Sequence, residues 1–288
     1  VSGTAEHAVC AAVSTLWREP PPWDPADRPF IGDLEPLFRK DMIETQILLG
    51  EPVHVIEEYQ GWSRVRAPWQ PRGADSLGYP GWLPSSDIAA EASPAAQFAV
   101  VTARQTELLG TTSGTAPRFA PWAAILPAYE VGDATLRVAL PGGGQAVVDR
   151  ASCAVRDFPF KDAGAIGSRE LLATARTMLG VQHVLGGMTE AALDCSGLVH
   201  LALRTLGVRA PREARDIFHM GRTVALGDAV GGDLLFFREP GQPIHHIGIA
   251  VAPPKVLLHA PGSGVTAVEP LTADRLRTLV DMVVRICG

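Results

Sequence analysis

The hydrophobic pattern of the chain changes character near its middle. Up to about residue 155 the apolar positions come in short runs broken by turn residues, the rhythm of strands. Between residues 6 and 90, residues 8–16 read as one strand and residues 48–57 as a second with an entry turn. Residues 62–66 (W-S-R-V-R) alternate apolar and polar at period 2, as a half-buried strand does. Residues 78–83 (G-Y-P-G-W-L) read as a tight turn leading into a last strand, and residues 18–39 as a polar insert containing Pro20-Pro21-Pro22. Short strands with one long loop predict a small barrel. Residues 98–103, 123–129, 135–140 and 145–148 repeat this plan more loosely, with Pro141-Gly142-Gly143-Gly144 as the last turn and residues 91–96 as a linker.

Beyond Asp157 the period switches. Ser168 predicts the cap of a helix with the apolar stripe Leu171, Ala175 and Met178, ending at Gly180. A second helix is predicted to start at Cys195, with Val199, Ala202 and Leu206 continuing its apolar stripe and Gly207 as its stop. A polar loop over residues 209–223 follows, then strands at 233–237, 244–251 and 256–260, a short helix at 271–279 and a strand at 282–286. Helices first and antiparallel strands afterwards indicate an α+β domain. The resulting division is 1–90, 95–157 and 164–288.

Composition narrows the classes. The 25 Lys and Arg against 31 Asp and Glu, without a basic run, argue against a nucleic-acid partner. No apolar stretch approaches the roughly 20 residues that span a bilayer. Cys10, Cys153, Cys195 and Cys287 are widely separated, which fits neither a disulfide framework nor a structural zinc site. The chain begins Val1-Ser2-Gly3, which reads as a processed product with any targeting segment out of view. Compartment stays open between bacterial cytoplasm and cell envelope.

The candidate chemistry starts at Cys195. A cysteine in the first turn of a helix feels the positive end of the backbone dipole, which favours thiolate. Taken alone, the residue reads equally well as a nucleophile or as a packed core cysteine. The histidines downstream change this balance. If residues 244–251 and 256–260 form a simple hairpin, Val251 faces Val256 and His259 faces Gly248. Alternation then puts His246 and His259 on one face and His245 on the other, with Gly248 keeping the space between the pair clear. A cysteine, a base and a group that orients the base make a nucleophilic triad. Cys195 would attack a carbonyl, His246 would hold its proton, and His259 would fix the tautomer of His246. Asp194 and Ser196 flank the nucleophile, where two backbone N–H groups would stabilise an oxyanion.

Four segments in this order resemble the NlpC-type cell-wall cysteine peptidases: L-D-C-S-G-L-V around Cys195, G-D-L-L-F-F at 232–237, H-I-G-I-A-V at 246–251 and L-H-A at 258–260. The resemblance covers about residues 164–288 and implies a papain-like fold with Cys195, His246 and His259 as the triad and no cofactor. The upstream part is similar to the SH3-like modules of the branch that cleaves γ-D-glutamyl–diamino acid bonds, so two such barrels are expected before the peptidase domain. G-Y-P-G-W at 78–82 resembles that branch's first module, whose tyrosine walls the substrate pocket; here this would be Tyr79. Two departures stand out. H-V-L-G-G puts His183 where the family has a tyrosine near the oxyanion, and P-R-E-A-R-D-I puts Glu213 at a loop-carboxylate position. The implied substrates are peptidoglycan stem peptides (muropeptides) with a free N-terminal L-Ala, whose ammonium would be met by Glu213, Tyr79 and Glu44. The other classes are a catalytically impaired peptide-binding protein, an acyltransferase on the same fold and, last, a metal site of Cys195, His246 and His259.

Overall fold

The computed structural model describes residues 7–27, 34–73, 75, 77–112, 116–157, 159–160, 166–253, 255–262, 264–280 and 282–286. Val1, Glu6, Gly164, Pro254, Cys287 and Gly288, which enter the expectations above, lie outside them. The chain divides into two compact units, with residues 1–71, 75–159 and 188–190 in the first and 72–74, 160–187 and 191–288 in the second. Among the described residues no helix is long and apolar enough to cross a membrane.

The first unit opens with β1 (His7–Val9), β2 (Val13–Trp17), α1 (Leu34–Arg39), β3 (Ile43–Leu48), β4 (Pro52–Tyr59), β5 (Trp62–Ala67), β6 (Tyr79–Pro84) and β7 (Ile88–Ala90). The single strand expected at 8–16 is two strands. The chain breaks at Cys10, whose N–H bonds Asp87 O, so that β1 pairs with β4 and β7 while β2 pairs with β3 and β6. The entry turn expected in 48–57 lies at Gly50, which holds φ +81°, and leads into β4; a strand of its own, β3, precedes it. The turn before β6 ends at Gly78, and β6 itself runs through Tyr79–Pro84, with β7 still to follow. The polar insert carries a short helix, α1, at its end. Val9, Leu16, Ile47, Val53, Val65, Tyr79 and Leu83 bury one side of the sheet, whose order is β3-β2-β6-β5-β4-β1-β7.

The same unit continues with β8 (Gln97–Val101), β9 (Gln105–Glu107), β10 (Phe119–Pro121), β11 (Ile125–Val131), β12 (Thr135–Leu140), β13 (Gly144–Asp149) and β14 (Cys153–Arg156). Five of these form a sheet of order β13-β12-β11-β8-β14, and β9 pairs with β10. No closed barrel is found in either sheet among the described residues, because each strand order is linear. The two sheets are locked together at the β3–β4 turn. Leu49 is fully buried in the core of the second sheet, with Leu126, Leu136 and Val138. Beside it Gly50 approaches so closely that an added Cβ would stand 2.5 Å from Ile125 O.

The second unit holds α2 (Ser168–Arg176), β15 (Gln182–His183), β16 (Ala192–Leu193), α3 (Cys195–Thr205), α4 (Ala214–Ile217), β17 (Arg222–Ala225), β18 (Leu234–Phe237), β19 (His246–Ala252), β20 (Val256–His259), β21 (Ala267–Pro270), α5 (Ala273–Thr278) and β22 (Met282–Arg285). The cap of α2 is Gly167 and not Ser168; the Glu170 carboxylate accepts from the Gly167 N–H at 3.0 Å. A six-stranded sheet runs β17-β22-β18-β19-β20-β21, so the polar loop expected at 209–223 also contains a helix and the start of an edge strand. Helix α3 lies against both α2 and β19. All of its residues from Ser196 to Thr205 are buried, where the sequence pattern predicts one apolar stripe. Its interior therefore takes up polar groups, and His200 reaches Pro211 O through Nδ1 at 3.2 Å.

The contact at Gly50 makes a prediction about stability. Gly50→Ala combines a left-handed backbone with a collision against a carbonyl oxygen that cannot move without its strand. It should destabilise the first unit by about 2 kcal/mol or more. Urea unfolding followed by tryptophan fluorescence measures this, and a change below about 0.5 kcal/mol would contradict the packing described.

Candidate active site

Asp194 is the N-cap of α3 and is buried with its charge. Its Oδ1 accepts from Gly197 N at 2.7 Å and its Oδ2 from Gly186 N at 2.8 Å. The equally buried Arg212 donates to Asp194 Oδ2 at 2.6 Å and to Ser196 Oγ at 2.8 Å. Burial by itself would raise the Asp194 carboxyl; the Arg212 charge and these hydrogen bonds outweigh it, and the group is held below the ordinary 3.8. Asp194 and Ser196, read from the sequence as neighbours of the oxyanion, are thus committed through their side chains to fixing the start of the helix. Arg212 is the cation of this pair.

Cys195 is half-buried at the first turn of α3. The expected lowering of its pKa is reversed. Burial pushes the thiol up to about 12, and the Asp194 carboxylate adds to this, against hydrogen bonds from the backbone N–H groups of Ile247 and Ser196 and the charge of Arg212. The cap that orders the helix places a full negative charge beside the sulfur, which adds to the effect of burial. At neutral pH the Cys195 side chain therefore rests as a thiol. Its contact with the N–H of Ile247 puts it beside the residue that follows His246.

The hairpin of β19 and β20 brings the two histidines together. Ile249 faces Leu258 and Ala250 faces Leu257, the register expected, but a bulge at Val251 makes Ala252 and not Val251 the partner of Val256. The tight turn, closed by Lys255 N to Ala252 O at 2.8 Å, absorbs the extra residue. His246 Nε2 lies 2.8 Å from His259 Nδ1, with the rings edge to face at 77°. An added Cβ on Gly248 would stand 3.0 Å from the Cβ of His259, so the glycine admits this pairing. Phe237 packs on the His246 ring at 5.4 Å between centroids. His245 precedes the strand and is exposed. Burial holds His246 well below 6.5, reinforced by the charges of His259, Arg275, His245 and His183. Burial and Arg275 likewise lower His259, opposed by Glu269.

Two groups beyond the sequence reading complete this side of the site. Glu269 Oε2 lies 3.2 Å from His259 Nε2, and Arg275 Nη1 lies 3.3 Å from His259 Nδ1. Glu269 stands on β21 opposite Leu257, two residues from His259 on the same strand face; since residues 267–270 carry no clear strand pattern, this edge strand escaped the sequence reading. His183 is buried on β15, with its N–H on Gly264 O at 2.9 Å, and its ring acts on both His246 and His259. Glu213 is half-buried at the N-cap of α4, where its backbone carbonyl accepts from Asp216 and Ile217. In the first unit Tyr79 is buried and donates to Glu44 Oε2 at 3.3 Å, and Arg18 donates to Glu44 Oε1 at 2.8 Å. Glu44 lies within β3 and not ahead of a strand. Among the described residues no group of three His, Cys, Asp or Glu is arranged to hold a metal ion.

Comparison with known proteins bears on this arrangement. Residues 180–282 match the NlpC/P60 family, and residues 39–88 match the bacterial dipeptidyl-peptidase SH3 domain. A gamma-D-glutamyl-L-lysine dipeptidyl-peptidase of Bacillus subtilis (strain 168) is 29% identical over 283 residues, covering 92% of this chain and 93% of that protein. A protein of the same name from Bacillus cereus is 25% identical over 277 residues, covering 87% and 81%. The crystal structure of an NlpC/P60 family protein from Bacillus cereus ATCC 10987 shares the fold, with a TM-score of 0.86 at 21% identity over 97% of this chain and 99% of that one.

The buried pair at the helix start is open to direct test. Arg212→Met keeps the bulk but strands the Asp194 carboxylate without its cation. It should lower stability by about 3–5 kcal/mol in urea unfolding. Because the Asp194 pKa is depressed, the stability it provides is present above pH 3.8 and is lost as pH falls through the lower folded value. The variant should lose this acid dependence.

Proposed function

We infer that this chain, with an NlpC/P60 domain over residues 180–282 and a bacterial dipeptidyl-peptidase SH3 domain over residues 39–88, is a cysteine peptidase that hydrolyses amide bonds in peptidoglycan-derived peptides. The observation that carries this reading is the likeness, over nearly the whole of both chains, to a protein whose name states that activity. The hydrogen-bonded histidine pair beside the start of α3 supports it chemically. At the finer level we propose that the bond cleaved joins γ-D-Glu to the following diamino acid in stems with a free N-terminal L-Ala, so that the N-terminal dipeptide is released. We also propose residues 1–90 and 95–157 as two SH3-like domains and residues 164–288 as the catalytic domain.

The proposed mechanism follows from the charge states. Cys195 and His246 both rest uncharged, the thiol raised and the imidazole lowered. As the sulfur attacks the carbonyl carbon, His246 takes its proton, and the oxyanion is met by the backbone N–H groups of Cys195 and Ser196. His246 then gives that proton to the leaving amine. Water, activated by the same imidazole, hydrolyses the thioester and restores the thiol. His259 orients His246 throughout, and His183 lies near enough to polarise the site. An ammonium taken out of water needs polar partners, and Glu213, Tyr79 and Glu44 are proposed in that role, each to be tested on its own.

The test is incubation with a free stem peptide and with intact sacculi, read by mass spectrometry. Cys195→Ala should abolish release of the dipeptide, and His246→Ala should slow it by about 10²- to 10⁴-fold. His259→Ala should fall between His246→Ala and the mild His245→Ala. Because the base must be neutral and His246 is lowered, the acid limb of kcat/KM should lie below pH 6.5. A limb above that value would contradict the assignment of His246.

Acetylating the N-terminal amine of the peptide should remove most of the activity. Glu213→Gln should raise KM for the free peptide with little change in kcat. Equal rates on acetylated and free peptides would dismiss the amine-recognition proposal.

A further inference from the structure

The neighbours of His259 are unlike in what they can do with a hydrogen bond. The Arg275 guanidinium carries donors only, and the Glu269 carboxylate carries acceptors only. Arg275 Nη1 stands 3.3 Å from His259 Nδ1, and Glu269 Oε2 stands 3.2 Å from His259 Nε2. A proton on Nδ1 would point at a cation and leave the carboxylate facing a bare lone pair. The His259 proton therefore belongs on Nε2, and its Nδ1 accepts. His246 Nε2, 2.8 Å from that same Nδ1, must then be a donor. This leaves Nδ1 as the basic nitrogen of His246.

We propose that Glu269 and Arg275 act as a tautomer clamp, positioning residues that work through His259 to keep the basic lone pair of His246 on Nδ1. The inference rests on the reading of His246 as the general base. Without the clamp a neutral imidazole pair has two self-consistent arrangements, one with both protons on the Nε2 atoms and one with both on the Nδ1 atoms. In the second, His246 Nε2 accepts from His259, and Nδ1, already protonated, cannot take the proton of a thiol. The location of the two groups suits this function. Both come from the elements after the hairpin, Glu269 from β21, which lies across β20 from β19, and Arg275 from α5. The opposite signs also bear on the proton affinity of the pair: Arg275 lowers both rings and Glu269 raises His259, while His183 on β15 lowers both and His245 before β19 lowers His246. The Cys195 thiol, at the N–H of the neighbouring Ile247, is the further titratable group on the His246 side.

The test uses the full chain with ¹⁵N-labelled histidine, reading the protonation of each ring nitrogen by NMR alongside kcat and KM on a free stem peptide. In the unaltered protein both His246 and His259 should show the Nε2–H form. Glu269→Ala, at a partly exposed carboxylate, should give mixed tautomers at both rings. Its kcat should fall about tenfold, the population ratio one charge-assisted hydrogen bond sustains, with KM unchanged. Glu269→Gln, whose carbonyl oxygen still accepts, should retain the Nε2–H forms and most of kcat. Arg275→Gln should raise the titration midpoints of both rings. An Nδ1–H form of His259 in the unaltered protein, or Glu269→Ala with tautomers unchanged, would overturn the clamp. If the unaltered protein cleaves no stem peptide, the functional reading falls instead, and the NMR result still decides the clamp.

Discussion

The second unit depends on one buried ion pair. Asp194 and Arg212 stand 2.6 Å apart with almost no exposure, and between them they reach Gly186, Ser196 and Gly197. Taking two charges out of water costs several kcal/mol each, and the pair offsets this with four hydrogen bonds to the Asp194 carboxylate and bonds from Arg212 to both Asp194 and Ser196. What it provides is location. The loop before β16, the first turn of α3 and the loop after that helix are tied to one point, and Cys195 sits between two of the residues so tied. A neutral cap would order the helix equally well, but it would not recruit the loop that carries Arg212 and, next to it, Glu213.

This anchoring has a chemical consequence. The carboxylate that fixes Cys195 also opposes its ionisation, and burial acts in the same direction. The histidine opposite is lowered by its own burial and by the cation of Arg275. Both groups are therefore neutral at rest, and in the mechanism proposed above charge separation is deferred until a carbonyl is present to receive the electron pair. A site of this kind relies on the imidazole presenting the correct nitrogen, because no resting ion pair holds the ring in place. The Phe237 ring and the bond to His259 both restrict that ring.

Local pattern was enough to read several of these features. Asp194 before an apolar run marks a helix start, and strand alternation separates His246 from His245 and joins it to His259, because the side-chain period of a strand is a property of the backbone alone. The switch from strand rhythm to helices near Asp157 was legible for the same reason. The barrels were not, since closure depends on whether end strands meet; nor was the break at Cys10, where one apparent run serves two different sets of sheet partners, nor the strand β3 ahead of the turn at Gly50.

By itself, then, the sequence determined the helix that carries Cys195 and the face shared by His246 and His259, each following from periodicity and capping within a few residues. Tertiary structure decided the rest. Arg212 reaches Asp194 across 18 positions, Glu269 reaches His259 across 10, and Arg275 does so across 16. None of these has a local signature, because an isolated charged residue in a loop or at an edge looks the same whether it is solvated or paired. The direction of the Cys195 shift was decided there as well: a helix start by itself favours thiolate, and only the burial and the fixed carboxylate of the folded chain reverse it.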